Sequence, residues 1–573
     1  MKTMMTMLKS CLAGCLLFSA TLQAQVANYP KGYFRNPLNI PMQLVANFGE
    51  LRTNHWHMGL DIRTQQKENL PVYAAADGYI ARIKIEPFGF GRAIYINHPN
   101  GLTTLYAHLN DFAPAIEQWV KEQQYKQQSW AVELTPPPSL FKLAKGDFIA
   151  YSGNTGGSQG PHVHFEIRET ATEKCLNPLL FGFPIADAVP PSLVRLGMYD
   201  RNRSVYAQSP QLIGLRKTGT GLYNLVKAAP IKVGTDRISF ALGAVDYFTG
   251  STNPNGIYSA RILLDNVLQS EFILDTISYN DTRYMNAHID YRYEALVGPY
   301  LQHLSRMPGD ITNIYTVTPT EGVLQLNDTA VHTVRIEVRD AAQNLSTLNF
   351  DVQYDARLAR TTAVTGEKWY PQQVNVFEAT DFEVFSTENT LYDTVNVAYN
   401  ANTATYASSS ASISPLHTFL QPSIPSHDNI TVRLKITSPL SSEAMDRIVI
   451  KNVSGSRTYV AKALPQRGDW VSAKFRQFGT FQAFLDTIPP TINAPQADLS
   501  RATRLVFTPK DNFNEIKSFR AEVDGQWLRF TNDKGKVWSY KFDEKFPAGQ
   551  HELKVTVEDE AGNVTTQSWQ VTR

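Results

Sequence analysis

The stretch Gly153 to Ile167, GNTGGSQGPHVHFEI, carries the most chemically suggestive spacing in the chain: a glycine-rich loop running into His162-Val163-His164. In an extended strand alternate side chains share a face, so both imidazoles look the same way. Alone, such a pair reads as two solvated histidines on a half-exposed strand. Two further stretches add to it. HMGLDI sets His57 and Asp61 four residues apart around Gly59, and LYAHL carries His108. Two imidazoles and a carboxylate make an N/N/O donor set suited to zinc, with a fourth tetrahedral position left for water, as catalytic rather than closed structural zinc requires. Zinc polarises a carbonyl and makes its bound water far more acidic, a route to peptide hydrolysis without a covalent intermediate.

The elements that must hold these residues read as β. Val72 to Ile85, Ala93 to Leu109 and Phe148 to Gly153 alternate apolar and polar residues between turn dipeptides, and Pro99-Asn100-Gly101 is a hairpin signal. One helix is expected over Phe112 to Trp130, where Ile116, Trp119 and Val120 fall at helical spacing. It is either a wall or lid beside a substrate groove or a packing decoration. His55 and His98 lie close to these motifs and are expected not to be ligands.

The order His-x-Gly-x-Asp, Tyr-Ala-His-Leu, glycine-rich loop and His-x-His resembles the lysostaphin/LytM-type zinc metallopeptidases. This sequence supplies it as HMGLD at His57 to Asp61, YAHL at Tyr106 to Leu109 and GPHVHFEIR at Gly160 to Arg168, with a motif core over 48–183. The resemblance implies one zinc ion held by His57, Asp61 and His164, with His162 and His108 beside it as the catalytic pair. The sequence leaves open which of the two is the general base: with His162 in that role, His108 would donate to the oxyanion or orient the water. The helical stretch is longer than the family pattern. The substrate implied is the peptide part of bacterial cell-wall peptidoglycan.

Around this core the chain divides into several parts. Residues 1–24 read as a secretory signal peptide, with Lys2 and Lys9 ahead of an apolar run from Cys11 to Ala20 and a cleavage position at Ala24. Leu12-Ala13-Gly14-Cys15 also resembles a lipoprotein box, but most of the apolar run follows Cys15, so an outer-membrane lipoprotein is the lesser reading. Residues 25–185 form the peptidase domain. Asp187 to Ser192 (DAVPPS) recurs as Asp486 to Thr491 (DTIPPT), and His332 to Val352 aligns without gaps on His551 to Val571. Residues 186–355 and 486–573 therefore read as two immunoglobulin-like β-sandwiches, each opened by a rigid Pro-Pro linker. The first carries an insertion containing His288 and His303, which are expected at the surface. Residues 356–485 are a β-rich region without a catalytic motif.

Composition fits an exported enzyme of the periplasm or cell envelope, mainly β throughout. With 54 basic and 53 acidic residues among 573, bulk charge gives no attraction to nucleic acid or membrane. Past the leader only Cys175 remains of three cysteines, so no intrachain disulfide is available. No later stretch approaches the roughly 18 apolar residues of a transmembrane helix. The expected activity is a zinc metalloendopeptidase acting on peptidoglycan, with protein partners conceivable through the sandwiches. The rival readings are a non-catalytic regulator of other wall hydrolases, and an adhesin or scaffold. Every matched motif lies before Pro184, so a chain ending there is expected to keep its zinc.

Overall fold

Seven antiparallel strands build the sheet that carries the motifs, in the order Leu44–Ala46, Leu60–Arg63, His162–Glu169, Leu102–Ala107, Arg92–Asn97, Gly78–Ile85 and Val132–Leu134. Register decides what each face carries. Phe165 stands opposite Leu60 and Tyr106, and these join Ile62, Val163 and Ile167 in a closed apolar core. His164 stands opposite Asp61 on the other face. A second sheet of Pro71–Tyr73, Phe148–Ser152 and Leu109–Phe112 adds Val72, Ile149 and Phe112 to the same core. The computed structural model describes residues 29–359, 366–402, 408, 410–437 and 439–573. The expected signal peptide and Cys15 lie outside the described residues. Within them the chain is mainly β, and no helix is long and apolar enough to cross a membrane.

The helix forms as Pro114–Gln127, with Pro114 in its first turn, where no N–H is needed, and Gln128 closing it in the left-handed conformation. Ile116, Val120 and Gln124 are its buried face. It contributes no residue to the cleft that opens over the clustered histidines, so it is not a wall of that groove. The last sandwich meets it through Lys121 with Asp543 (3.1 Å) and Tyr125 with Asp543 (2.9 Å), and Arg529 donates to the buried Gln124 side chain (3.0 Å).

Beyond the peptidase sheet, 186–355 contain a five-stranded and a seven-stranded sheet, and 367–485 a five-stranded and a six-stranded sheet. These parts are not separate beads. One apolar cluster runs from Phe48, Trp56 and Met58 of the peptidase region through Phe272 and Ile336 to Phe419 and Phe481. The strand pair Cys175–Leu176 and Thr276–Ile277 carries the peptidase sheet directly into the next region. His288 and His303, expected at the surface, are fully buried. His288 bonds Tyr315 Oη and Gln302 Oε1 and packs on Trp56 and Phe272, while His303 packs on Tyr199. The insertion is thus core between the two regions, a role that periodicity within the insertion could not show.

Candidate active site

Three donor atoms from two adjacent strands and the turn before one of them converge. His57 Nε2 lies 2.9 Å from Asp61 Oδ1 and 3.0 Å from His164 Nδ1, and His164 Nδ1 lies 2.9 Å from Asp61 Oδ1. All three residues are buried. Gly59 permits this closeness: a Cβ there would sit 2.4 Å from the Phe165 carbonyl oxygen, on the strand that carries His164. The outer nitrogen of each histidine is already committed. His57 Nδ1–H donates to the Asn47 carbonyl (2.7 Å), and His164 Nε2–H donates to Glu166 Oε1 (2.8 Å). Rings tethered in this way turn His57 Nε2 and His164 Nδ1 toward the Asp61 oxygen, and three such atoms at about 3 Å repel unless a proton or a cation lies among them. Burial disfavours a charged His164, but Asp61 and Glu166 outweigh it and raise its pKa to about 9, so without a metal a proton on Nδ1 bridges to Asp61 in the place a cation would take. The donor set therefore fits a borderline metal such as zinc.

Two more imidazoles border this group. His162 Nδ1–H donates to the Gly160 carbonyl (2.8 Å), and its Nε2 lies 3.3 Å from Asp61 Oδ1. His108 Nδ1–H donates to the Thr155 carbonyl (2.8 Å), and the two rings lie 4.8 Å apart. His108 takes a left-handed φ of 58°, costly for a residue with a Cβ, and its own N–H is held by the Phe90 carbonyl at 3.0 Å. Burial, with His162 and His164 nearby, lowers the His108 pKa to about 3. A neutral His108 with its proton on Nδ1 presents a lone pair at Nε2, so it accepts in the resting state and can donate only after taking a proton. The glycine-rich loop holds both rings through its carbonyls. Gly156, at φ 68°, is pressed so closely on Gly91 that a Cβ would lie 2.3 Å from its nitrogen.

The supports come partly from outside the peptidase region. Glu166, fully buried, receives Arg168 Nε (2.6 Å), Cys175 Sγ (3.4 Å) and the hydroxyl of Tyr279 (2.5 Å). Burial would raise its pKa, but Arg168 and His164 bring it down to about 2. Asn47 exchanges two hydrogen bonds of 2.8 Å with the backbone of Gly256. Each of the two histidines is thus oriented by a residue that the following region braces. From the far end of the chain, Asp533 Oδ1 accepts the Gly156 N–H (2.7 Å) and Lys534 Nζ donates to the Ser158 carbonyl (3.0 Å). A cleft of about 1390 Å³ opens over the site, and its lining includes Arg52, Phe90, His108, His162, Tyr279 and Tyr300.

Of the residues singled out from sequence, His57, Asp61, His108, His162 and His164 come together here. His98 is apart from them, buried with one nitrogen on the Asp77 carbonyl and the other on Thr104 Oγ1. His55 borders the cleft, but its ring is exposed and bonds the Thr53 carbonyl. Cys175 is buried behind Glu166, and burial pushes its thiol pKa well up, the opposite of an activated nucleophile. Asn47, Arg52, Glu166 and Tyr279 were not anticipated. Glu166 was readable, as the next residue on the face of His162 and His164. Tyr279 lies 113 positions from Glu166, and nothing local marks it.

Comparison with known proteins places similarities along three stretches. Residues 55–125 match the family described as peptidase family M23, 367–486 a Zu5-like domain, and 496–572 a bacterial Ig-like domain. The chain is 33% identical over 134 residues to the DD-carboxypeptidase/endopeptidase Mpg of Neisseria meningitidis serogroup B, covering 23% of this chain and 24% of that protein. It is 26% identical over 166 residues to the peptidoglycan DD-endopeptidase ShyA of Vibrio cholerae, covering 28% and 32% respectively. The match thus spans about a quarter to a third of these curated relatives. Among solved structures, the catalytic domain of lysostaphin from Staphylococcus simulans aligns at 23% identity over 27% of this chain and 92% of that one, with a TM-score of 0.17.

Proposed function

We propose, on the premise that this chain carries a lysostaphin/LytM-type peptidase domain of family M23, that it is an exported zinc metalloendopeptidase that cleaves peptide bonds in bacterial peptidoglycan. The observation that carries this reading is the convergence of His57 Nε2, Asp61 Oδ1 and His164 Nδ1 within 3.0 Å, with the imidazoles of His162 and His108 alongside. These three atoms would hold the metal. When bound, zinc supplies Lewis acidity toward a peptide carbonyl and toward water.

The rest falls to the chain's own groups. His162 Nε2, free of its proton because Nδ1–H is on Gly160, takes a proton from the attacking water and later returns it to the leaving amine. His108 Nε2 accepts a hydrogen bond from the same water and orients it. Donation from His108 to the oxyanion would follow only after proton transfer. Glu166 keeps the His164 proton on Nε2, so that Nδ1 stays available. Arg52, 3.4 Å from the second oxygen of Asp61 and 3.1 Å from Glu50, stands at the cleft wall beside the donor group. The cleft, bordered by aromatic rings and open to solvent, suits an extended peptide strand.

Digestion of purified sacculi, followed by mass spectrometry of the soluble products, tests the reading. Release of muropeptides with newly opened cross-links or shortened stems is expected from the zinc-loaded chain and not from the His162→Ala variant. Zinc binding without any release would favour a regulator of other hydrolases. Absence of zinc binding would end the metallopeptidase reading.

A further inference from the structure

The repeated ends of the two sandwiches bring together more than backbone. Asp187 and Asp486, each three residues ahead of a Pro-Pro pair, occupy matching places, and so do Asp340 and Asp559 in the gapless alignment. In the folded chain Asp246 completes the first set and Asp511 the second. Asp187, Asp246 and Asp340 each offer a carboxylate oxygen within 4.8 Å of the others, and Asp486, Asp511 and Asp559 do the same. Matching hydrogen bonds fix matching members. Asp340 accepts the backbone and side-chain N–H of Asn344 (2.9 and 2.8 Å), as Asp559 accepts those of Asn563 (2.8 and 2.9 Å). Asp187 accepts the Val189 N–H (3.1 Å), as Asp486 accepts that of Ile488 (3.2 Å).

Carboxylates gathered in this way need a counter-charge. Among the described residues no Lys, Arg or His forms an ion pair with any of the six. Asp246 is 2% exposed, and its Oδ1 is enclosed without a hydrogen-bond partner. A second enclosed oxygen is not acidic at all. Asn255 pairs with Asp246 across an antiparallel bridge, so their side chains project to the same side. It is 4% exposed, its Nδ2 donates to the Asn253 carbonyl, and its Oδ1 has no partner. In the second set Asn512 donates through Nδ2 to Asp486 Oδ1 (3.0 Å), while its own Oδ1 and that of Asp511 are enclosed and unpartnered. An enclosed oxygen acceptor left without a donor is costly, and both sets contain one acid and one amide of this kind, in buried residues in the first set and half-buried ones in the second.

We propose that each cluster is a calcium site that locks a sandwich to the chain segment entering it. The grouped donors are carboxylate oxygens alone, which select a hard divalent cation over zinc. A crowded, irregular set of this kind suits the flexible shell of Ca²⁺ better than the octahedral, water-retaining shell of Mg²⁺. Position gives the ions their purpose. Asp187 lies in the segment joining the peptidase to the strand Ser192–Asp200, and Asp486 directly follows the strand Gly479–Leu485 of the preceding region. Asp246 and Asp340 follow strands of the sandwich itself, so the ion bridges linker and sandwich. Neither site shares a residue with the peptidase centre, so calcium binding stands or falls apart from the peptidase activity.

Calorimetric titration of the full-length chain, freed of Ca²⁺ on a chelating resin and then reloaded with zinc, tests it. Two Ca²⁺ are expected per chain, with dissociation constants of about 10⁻⁴ to 10⁻³ M, as in extracellular modules. D246N and D511N should each remove one ion, and the double variant both. The thermal midpoint of the wild-type chain should rise with Ca²⁺, the double variant should not respond, and Mg²⁺ at equal concentration should do less. Tyr247 adjoins Asp246 and can sensitise bound Tb³⁺, which gives a readout in the unaltered chain should a variant fail to fold. Luminescence displaced by Ca²⁺ supports the sites. Absence of saturable Ca²⁺ binding up to about 10 mM, well above that range, or binding unchanged in both variants, overturns them.

Discussion

At the scale of single residues, His162 and His164 sit two positions apart on one strand yet have different surroundings. His164 turns Nδ1 into the donor group and anchors Nε2 on Glu166, whereas His162 is anchored through Nδ1 and stands at the edge. His164→Ala should lose both zinc and activity. His162→Ala should keep zinc while hydrolysis falls by about a hundredfold to ten-thousandfold, the usual cost of losing a general base. Metal analysis beside a peptide assay separates them, and the reverse pattern would exchange their roles. Tyr279→Phe deletes one hydroxyl, the donor to Glu166 from the neighbouring region. Removing such an outer partner typically costs about 10- to 100-fold in metal affinity or activity. Competition against a chelator should show zinc held more weakly, with the fold unchanged by circular dichroism. Cys175→Ser should stay within about a few-fold of normal activity, because a hydroxyl can donate to Glu166 as the thiol does. Inactivation of that variant would mean that the nucleophile is the thiol.

Among elements, the glycine-rich loop matters most, since its carbonyls orient both His162 and His108. It is held on one side by Gly89, whose carbonyl accepts the Gly157 N–H (2.8 Å), and on the other by the turn around Asp533 and Lys534 of the last sandwich. Asp533→Ala removes the acceptor of the Gly156 N–H, a loss of about 1 kcal/mol. Zinc should stay bound, because the loop carries no ligand. Hydrogen exchange at Gly156 and Gly157 should quicken and turnover should fall. Unchanged exchange there would show that the contact does not restrain the loop. The helix Pro114–Gln127 belongs to the same arrangement, its outer side being a platform for Asp543 while Arg529 reaches its buried Gln124. Its spacing showed which face was buried. The exposed side, with Lys121 and Tyr125, looks in sequence like any solvated helix face.

The whole molecule closes on itself. The peptidase shares a core with 186–355, that region shares it with 367–485, Phe484 packs on Phe513 of the last sandwich, and the last sandwich returns to the peptidase loop. The peptidase therefore depends on the regions C-terminal to it. A fragment of residues 29–185 would expose Phe48, Trp56 and Met58, each now at most 2% exposed, and would lose Gly256 and Tyr279 from the site. Burying each of these side chains contributes about 1.5 to 3 kcal/mol, and together they approach the about 5 to 15 kcal/mol that stabilises a typical domain. The fragment should be insoluble or only partly folded and should bind zinc poorly, contrary to what motif positions alone suggest. Recovery of a soluble, zinc-loaded fragment would show that the shared core is dispensable.

The candidate donor residues and the β character of the chain were legible without the fold. Strand alternation puts His162 and His164 on one face, short spacing sets His57 by Asp61, and both are local properties that survive without knowledge of the fold. The repeated ends of 186–355 and 486–573 were legible too, because a repeat is a comparison of the chain with itself. Tertiary structure alone decided which distant groups complete these patterns. Tyr279 and Gly256 brace the two histidines, Asp533 holds the loop, His288 and His303 fill a core, and Asp246 and Asp511 complete the acidic triads. Such pairings depend on long-range packing of apolar faces, and a residue's sequence neighbours carry no record of which face it will meet.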